Sequence, residues 1–347
     1  MIMRIAVIPE RLGGVLSPCG TIRLSTFFDA IRDATHGRWE VRYLVAEEVE
    51  AFQPHVIVWQ RVALPTSDDV AAVVKVAKAV GATMIYDLDD NLFELDDQFE
   101  RRVYAGKLEA VRASLQAADQ VWCSTPNLAG NSAGISRSPP LLMTNALDPG
   151  LWVTAGGPAL VSGPVSRLLY MGTRTHAADL DLLNEAMALL ERRAPGRYKL
   201  DVVGVSSHYG EFPWLEVLAI PSHIGASYPA FVHWLCLQGA RRLGVAPLLR
   251  SRFNDSKSNI KVLDYAALGM PALVSDVPAY SSLRVDMDCM KSDNSALAWA
   301  TSIERACADE ALTSRVLSSA TSLIGERVFG DAVRLRMDAI DRGLSRV

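Results

Sequence analysis

The polar loop Phe253-Asn254-Asp255-Ser256-Lys257-Ser258-Asn259 runs into an apolar-striped segment and then into Gly269-Met270-Pro271-Ala272-Leu273-Val274. Its residue types suit anion binding. Lys257 and Lys261 bring two cations to the expected start of a helix, where unpaired amides and the backbone dipole already favour negative charge. Ser258 suits the N-cap, because its hydroxyl can accept from a first-turn amide; Asn259 follows it. One turn further on, Asp264 offers a carboxylate that can accept from sugar hydroxyls. The elements around these residues are legible. Ile260, Leu263, Ala267 and Leu268 recur at helical spacing, Gly269 suits the C-terminal end, and Pro271 prevents continuation. Ala272-Leu273-Val274 reads as a buried parallel strand.

Acid–base chemistry has a second candidate location, Tyr86-Asp87-Leu88-Asp89-Asp90-Asn91, at the C-terminal end of an expected strand. Ligands of open α/β sheets bind at that edge. Alternation along the strand puts Asp87 and Asp89 on one side and turns Asp90 away. Crowded carboxylates raise one another's pKa, which suits a base. A third location follows the apolar run Leu168–Met171. There Gly172 removes a side chain where a ligand could approach, and Arg174 can give two parallel hydrogen bonds to phosphate, with His176 nearby.

Strands and helices alternate along the chain, the pattern of parallel sheets covered on both faces. Strands are expected at Arg4–Pro9, Val41–Val45, Val56–Trp59, Thr83–Leu88 and Gln120–Ser124, and helices at about Thr21–Arg32, Asp68–Val80 and Phe99–Ala118. A glycine-bearing loop, Gly13-Gly14 through Gly20, follows the first strand. A Gly/Pro/Ser-rich tract at about 156–164 reads as a linker. The pattern restarts with a strand at Arg167–Met171 and a helix at Asp179–Arg193, and later a strand at Val245–Leu249. Asp331–Leu344 reads as an amphipathic helix.

At 347 residues the chain can hold two cores. Half its residues are hydrophobic and its net charge is −4, so it lacks the basic surplus of a nucleic-acid binder. Cys19, Cys123, Cys236, Cys289 and Cys307 are scattered without zinc spacing, as in a reduced cytosolic protein. No signal-peptide-like start and no membrane-spanning run is found. Arg101, Arg102, Lys107 and Arg112 lie along the expected Phe99–Ala118 helix. They suit a solvated face, with peripheral contact to an anionic membrane or a lipid-phosphate acceptor as the alternative, diluted by Glu100 and Glu109.

The segment 253–276 resembles the donor-binding motif of GT-B glycosyltransferases, especially the retaining family 4 enzymes of bacterial polysaccharide synthesis. Those enzymes carry two glutamates eight residues apart, then Gly-x-Pro and a strand. Asp264 stands at the second glutamate and Ser256 at the first. The turn Asn145-Ala146-Leu147-Asp148 resembles the Asn-Gly-x-Asp that ends the family's first domain, and Leu168–His176 resembles the opening of its second. The resemblance implies an α/β GT-B fold, two Rossmann-like domains whose parallel sheets face an interdomain cleft. Residues 1–155 would form an acceptor domain, with 330–347 packing back on it, and residues 165–329 a nucleotide-sugar donor domain.

It further implies metal-independent transfer of a sugar from a nucleotide diphosphate donor to a hydroxyl of a glycan or glycolipid, in the cytoplasm or at the inner face of the membrane, and without a cofactor. Gly172, Arg174, His176, Lys257, Ser258, Asn259, Lys261 and Asp264 would bind the donor. Gly13, Gly14 and Asp90 would bind the acceptor, and Asp89 and Asp87 would be catalytic. In a retaining enzyme Asp89 orients the acceptor; in an inverting one it is the general base. A nucleotide-sugar-binding subunit without activity is a third reading, kept open by Ser256. Asp87-Leu88-Asp89 also matches the Asp-x-Asp of metal-dependent transferases, a reading that leaves the lysine-bearing segment unexplained.

Overall fold

The computed structural model describes residues 2–152, 161, 163–173, 177–204, 212–225 and 227–345. The chain forms two compact units. One comprises Met1–Ala146, Ser256–Ser258 and Phe329–Val347; the other comprises Leu147–Asp255 and Asn259–Val328. Most of the tract expected as a linker lies outside the described residues, as do Arg174 and His176.

The first unit is built on strands β1 (Met3–Ile8), β2 (Trp39–Tyr43), β3 (Val56–Gln60), β4 (Thr83–Leu88), β5 (Gln120–Cys123) and β6 (Leu141–Leu142). All pair in parallel, in the order β2-β1-β3-β4-β5-β6. Every residue of β3 and β4 is buried, which explains their largely apolar character; the buried polar exceptions are Gln60, Thr83 and Asp87. Thr66 and Asp69 form a reciprocal capping box that starts the helix Ser67–Val80, and Gly81 (φ 70°) ends it. The final helix, Glu326–Leu344, belongs to this unit. Its Val333, Ala339 and Ile340 are buried with Phe27, Phe28 and Trp122, and Gln120 Nε2 donates to the Ala339 carbonyl at 2.7 Å. Removing a side chain such as Ile340 from water contributes about 1.5–3 kcal/mol.

Three expectations change here. The glycine-bearing loop is a small antiparallel hairpin, Arg11–Leu12 with Val15–Leu16. Gly13 (φ 58°) and Gly14 (φ 84°) supply the left-handed pair that a two-residue hairpin turn requires. The helix expected over Thr21–Arg32 is composite: Pro18–Gly20, a π-helical turn Thr21–Ser25, then Thr26–Ala34. The expected Phe99–Ala118 helix is two, Gln98–Ala105 and Leu108–Ala117, divided at Gly106-Lys107, where the Lys107 amide turns back to the Tyr104 carbonyl. The single basic face expected there is therefore divided too. Arg101 donates to the Leu95 carbonyl, Lys107 lies over the Tyr104 ring, and Arg112 lies over Phe93.

The second unit is built on β7 (Ser166–Met171), β8 (Tyr198–Val203), β9 (Leu215–Leu218), β10 (Leu243–Ala246), β11 (Ala272–Ser275) and β12 (Met290–Ser292), also parallel, in the order β9-β8-β7-β10-β11-β12. Alternate residues of β7 enter opposite cores. Leu168 and Tyr170 pack with Leu183 and Trp299, whereas Leu169 and Met171 pack with Val262 and Tyr265. The helix Ile260–Ala267 ends as its sequence indicates. Gly269 (φ 75°) donates to the Ala266 carbonyl and Met270 to that of Tyr265, the paired bonds of a Schellman ending.

Candidate active site

In the first unit the strand order reverses at β1, which has β2 on one side and β3 on the other. Crevices for ligands open beyond the carboxyl ends of strands at such a reversal. Glu10 lies just beyond β1, Arg61 directly follows β3, and Asp89 and Asp90 lie just beyond β4. Adjacent parallel strands thus deliver four charged residues to one edge. Arg61 gathers them: Nε donates to Glu10 Oε1 (3.3 Å), Nη1 to Asp89 Oδ1 and Asp90 Oδ2 (2.8 Å each), and Nη2 to the Tyr104 hydroxyl (3.1 Å). Lys257 Nζ lies 3.5 Å from Asp90 Oδ1. Burial alone would raise the Asp90 carboxyl, but Lys257 and Arg61 hold it well below the usual carboxylate range. The expectation that crowding lifts these carboxylates therefore fails at Asp90, because two cations sit among them.

Asp87 is not part of this group. Its Oδ1 accepts from Arg23 Nε (3.1 Å) and its Oδ2 from Arg23 Nη2 (2.6 Å), with both side chains wholly buried. The alternation that paired Asp87 with Asp89 stops at Leu88, where β4 ends, and Asp89 instead shares Arg61 with Asp90. Asp87 is out of reach of a substrate, and an Asp87/Asp89 metal pair loses its first carboxylate to Arg23.

Ser258 does not cap the helix Ile260–Ala267. Asn259 occupies the N-cap without a side-chain bond, and the Ser258 hydroxyl accepts from Asn145 Nδ2 at 2.9 Å. Ser256 is 1% exposed. Its carbonyl accepts from Thr125 Oγ1 (2.8 Å) and its hydroxyl from Asn131 Nδ2 (3.0 Å). The position that is a glutamate in the resembled motif is here a buried packing contact.

In the second unit the order reverses at β7, flanked by β8 and β10. Gly172 lies just beyond β7, but protein already occupies its surroundings. A Cβ there would stand 2.8 Å from the Tyr170 hydroxyl, and the Gly172 amide donates to the Val203 carbonyl (3.1 Å). The need for glycine is thus packing, and that amide is not open to phosphate. Gly204 (φ 83°) crosses beside it; a Cβ there would lie 2.4 Å from the Gly172 carbonyl oxygen. In the helix Ile260–Ala267 no side chain among the described residues caps the first amides. Lys261 Nζ lies 3.4 Å from Asp264 Oδ2. Asp264 is 6% exposed, and its Oδ1 has no hydrogen-bond partner among the described residues. Burial raises its pKa, with Lys261 opposing.

Neither a protein-family model nor a curated protein sequence matches the chain. Solved structures do. Alr3699/HepE of Anabaena, in complex with UDP and glucose, superposes with a TM-score of 0.65 at 14% identity, covering 98% of this chain and 100% of that one. Sucrose-phosphate synthase from Thermosynechococcus elongatus gives 0.65 at 13%, covering 99% of each chain. A glycosyltransferase from Rickettsia africae gives 0.63 at 9%, covering 100% and 99%.

The fold is that of the GT-B glycosyltransferases.

Within this GT-B chain the residues that sequence reasoning missed are Glu10, Arg23 and Arg61. Arg61 and Glu10 carried a usable signal, since each stands at the carboxyl end of an expected strand, as Asp89 does. Arg23 carried none, being an arginine in an apolar helical run. Among the described residues no helix is long and apolar enough to cross a membrane.

Proposed function

We propose that this chain transfers a sugar from a nucleoside diphosphate sugar, UDP-linked, to a hydroxyl of a glycan or glycolipid. One observation carries the reading: a nearly buried carboxylate, Asp264, with an oxygen that has no hydrogen-bond partner among the described residues, one turn into a helix whose N-cap Asn259 makes no side-chain bond to the first amides. A buried acceptor left unmade costs about 1–3 kcal/mol, so a ligand hydroxyl that donates to Oδ1 recovers binding free energy. The open amides and Lys261 suit the diphosphate on the same helix. The solved relatives support the reading, for HepE is also known in complex with UDP-glucose.

The second unit takes the donor and the first takes the acceptor, whose hydroxyl donates to Asp89. One Asp89 oxygen is held by Arg61, so Asp89 acts as an oriented hydrogen-bond acceptor, and the transfer retains anomeric configuration. Protein cations and helix amides stabilise the departing diphosphate, so no metal takes part.

The test is a screen of UDP-, GDP- and ADP-sugars against alkyl glycosides, with and without excess chelator. Nucleoside diphosphate release and product mass are the readouts, and proton NMR gives the anomer. UDP release with a retained anomer in chelator is expected. Nucleotide binding with neither transfer nor hydrolysis would reject the enzyme reading.

A further inference from the structure

Among the described residues, Arg61 alone touches Glu10, Asp89 and Asp90, the carboxylates of the first unit's strand-reversal edge. It is held at both ends. Its amide donates to the Asp87 carbonyl (3.0 Å) and its carbonyl accepts from the Tyr86 hydroxyl (2.9 Å). Its guanidinium is shared among Glu10, Asp89, Asp90 and Tyr104, and the residue is 6% exposed. Its φ is +46°, in the left-handed region that a non-glycine residue occupies only at a cost in backbone strain.

The three carboxylates are not equivalent. Asp90 is occupied on both oxygens, by Arg61 on Oδ2 and Lys257 on Oδ1. Glu10 faces Arg61 through one oxygen and is nearly buried. Asp89 is fixed twice, by Arg61 at Oδ1 and by the Ser124 hydroxyl at its backbone carbonyl, and Oδ2 has no hydrogen-bond donor among the described residues.

We infer that Arg61 is the positioning residue of this site: it fixes the Asp89 carboxylate so that its second oxygen receives a neutral acceptor hydroxyl. The inference rests on the glycosyltransferase reading above. Its geometric content is separate. Three carboxylates against two cations leave an excess negative charge, so the acceptor group that enters is an uncharged donor and not a phosphate. Arginine is needed because one planar fork must meet Glu10, Asp89, Asp90 and a phenol together, which a lysine ammonium cannot do.

The experiment measures transfer with the best donor–acceptor pair of the screen, for wild type, Arg61→Lys, Asp89→Asn and the double variant. UDP dissociation constants and melting temperatures are recorded on the same samples. Arg61→Lys is expected to lower kcat by ~100-fold, the effect of misplacing a reacting partner, with the UDP dissociation constant unchanged. The double variant should be no slower than Asp89→Asn alone, because Arg61 acts through Asp89. Asp89→Glu serves if Arg61→Lys does not fold. It keeps the charge and moves the carboxylate by one methylene, and a kcat loss of the same order is expected. Wild-type rates in folded Arg61→Lys or in Asp89→Glu, or two losses that multiply in the double variant, overturn the positioning role alone. No transfer by wild type overturns the glycosyltransferase reading and this inference with it.

Discussion

Arg23 and Asp87, 64 residues apart in sequence, meet in a doubly hydrogen-bonded ion pair with no exposed side-chain surface. Arg23 also donates to the Met143 carbonyl (2.5 Å) and to Asn145 Oδ1 (3.0 Å). A second buried arginine, Arg336, lies over the Phe27 ring and donates to the Thr144 carbonyl (3.2 Å). The end of the first unit's main segment is thus tied to both the start and the end of the chain.

Asp87→Asn should therefore act on stability. Leaving one partner of a buried pair without its counter-charge costs about 3–5 kcal/mol. Thermal or urea denaturation of the variant should show a loss of that size. A melting temperature equal to wild type would mean that the pair does not hold the unit together.

Asp90 gives the first unit a defined acid sensitivity. Its folded pKa is depressed by Lys257 and Arg61 against the opposing effect of burial. The stability it contributes is therefore fully present above its unfolded value, ~3.9, and is lost as pH falls below that towards the folded value. Melting temperatures between pH 5 and pH 2 should fall less steeply for Asp90→Asn than for wild type. Parallel curves would remove Asp90 from the linkage.

Asp264 carries the opposite sign. Burial raises its folded pKa, so its ionised form opposes folding at neutral pH, and the penalty lifts as pH falls through the raised value. Asp264→Asn should raise the melting temperature slightly at pH 7 while weakening UDP binding by ~10-fold, the loss of one hydrogen bond to a charged acceptor. Calorimetric titration with UDP checks the second half; equal affinity in the two proteins would take Asp264 out of the donor site.

Ser256→Glu, which restores the residue of the resembled motif, should not improve transfer. The site is 1% exposed and its hydroxyl and carbonyl are bonded to Asn131 and Thr125. Overpacking such a site costs about 1–3 kcal/mol before the buried charge is counted. A stable, more active Ser256→Glu protein would show that this position still faces the donor.

The sequence by itself determined the parallel α/β architecture, because its signals are local. Apolar runs such as Val56–Trp59 mark strands covered on both faces, and the 3.6-residue stripe with Gly269 marks the helix Ile260–Ala267 and its end. It also placed Asp89 and Asp90 at a sheet edge and Asp264 on that helix. Tertiary structure decided the electrostatic partners. Lys257 stands 167 residues from Asp90 and Arg23 stands 64 from Asp87, and no periodicity encodes such a pairing. The same holds for Ser256, whose burial depends on Thr125 and Asn131, and for Arg61, whose left-handed backbone persists because contacts at both of its ends fix it. A charge's role depends on its nearest opposite charge and on the water removed around it, and both are set when distant strands align.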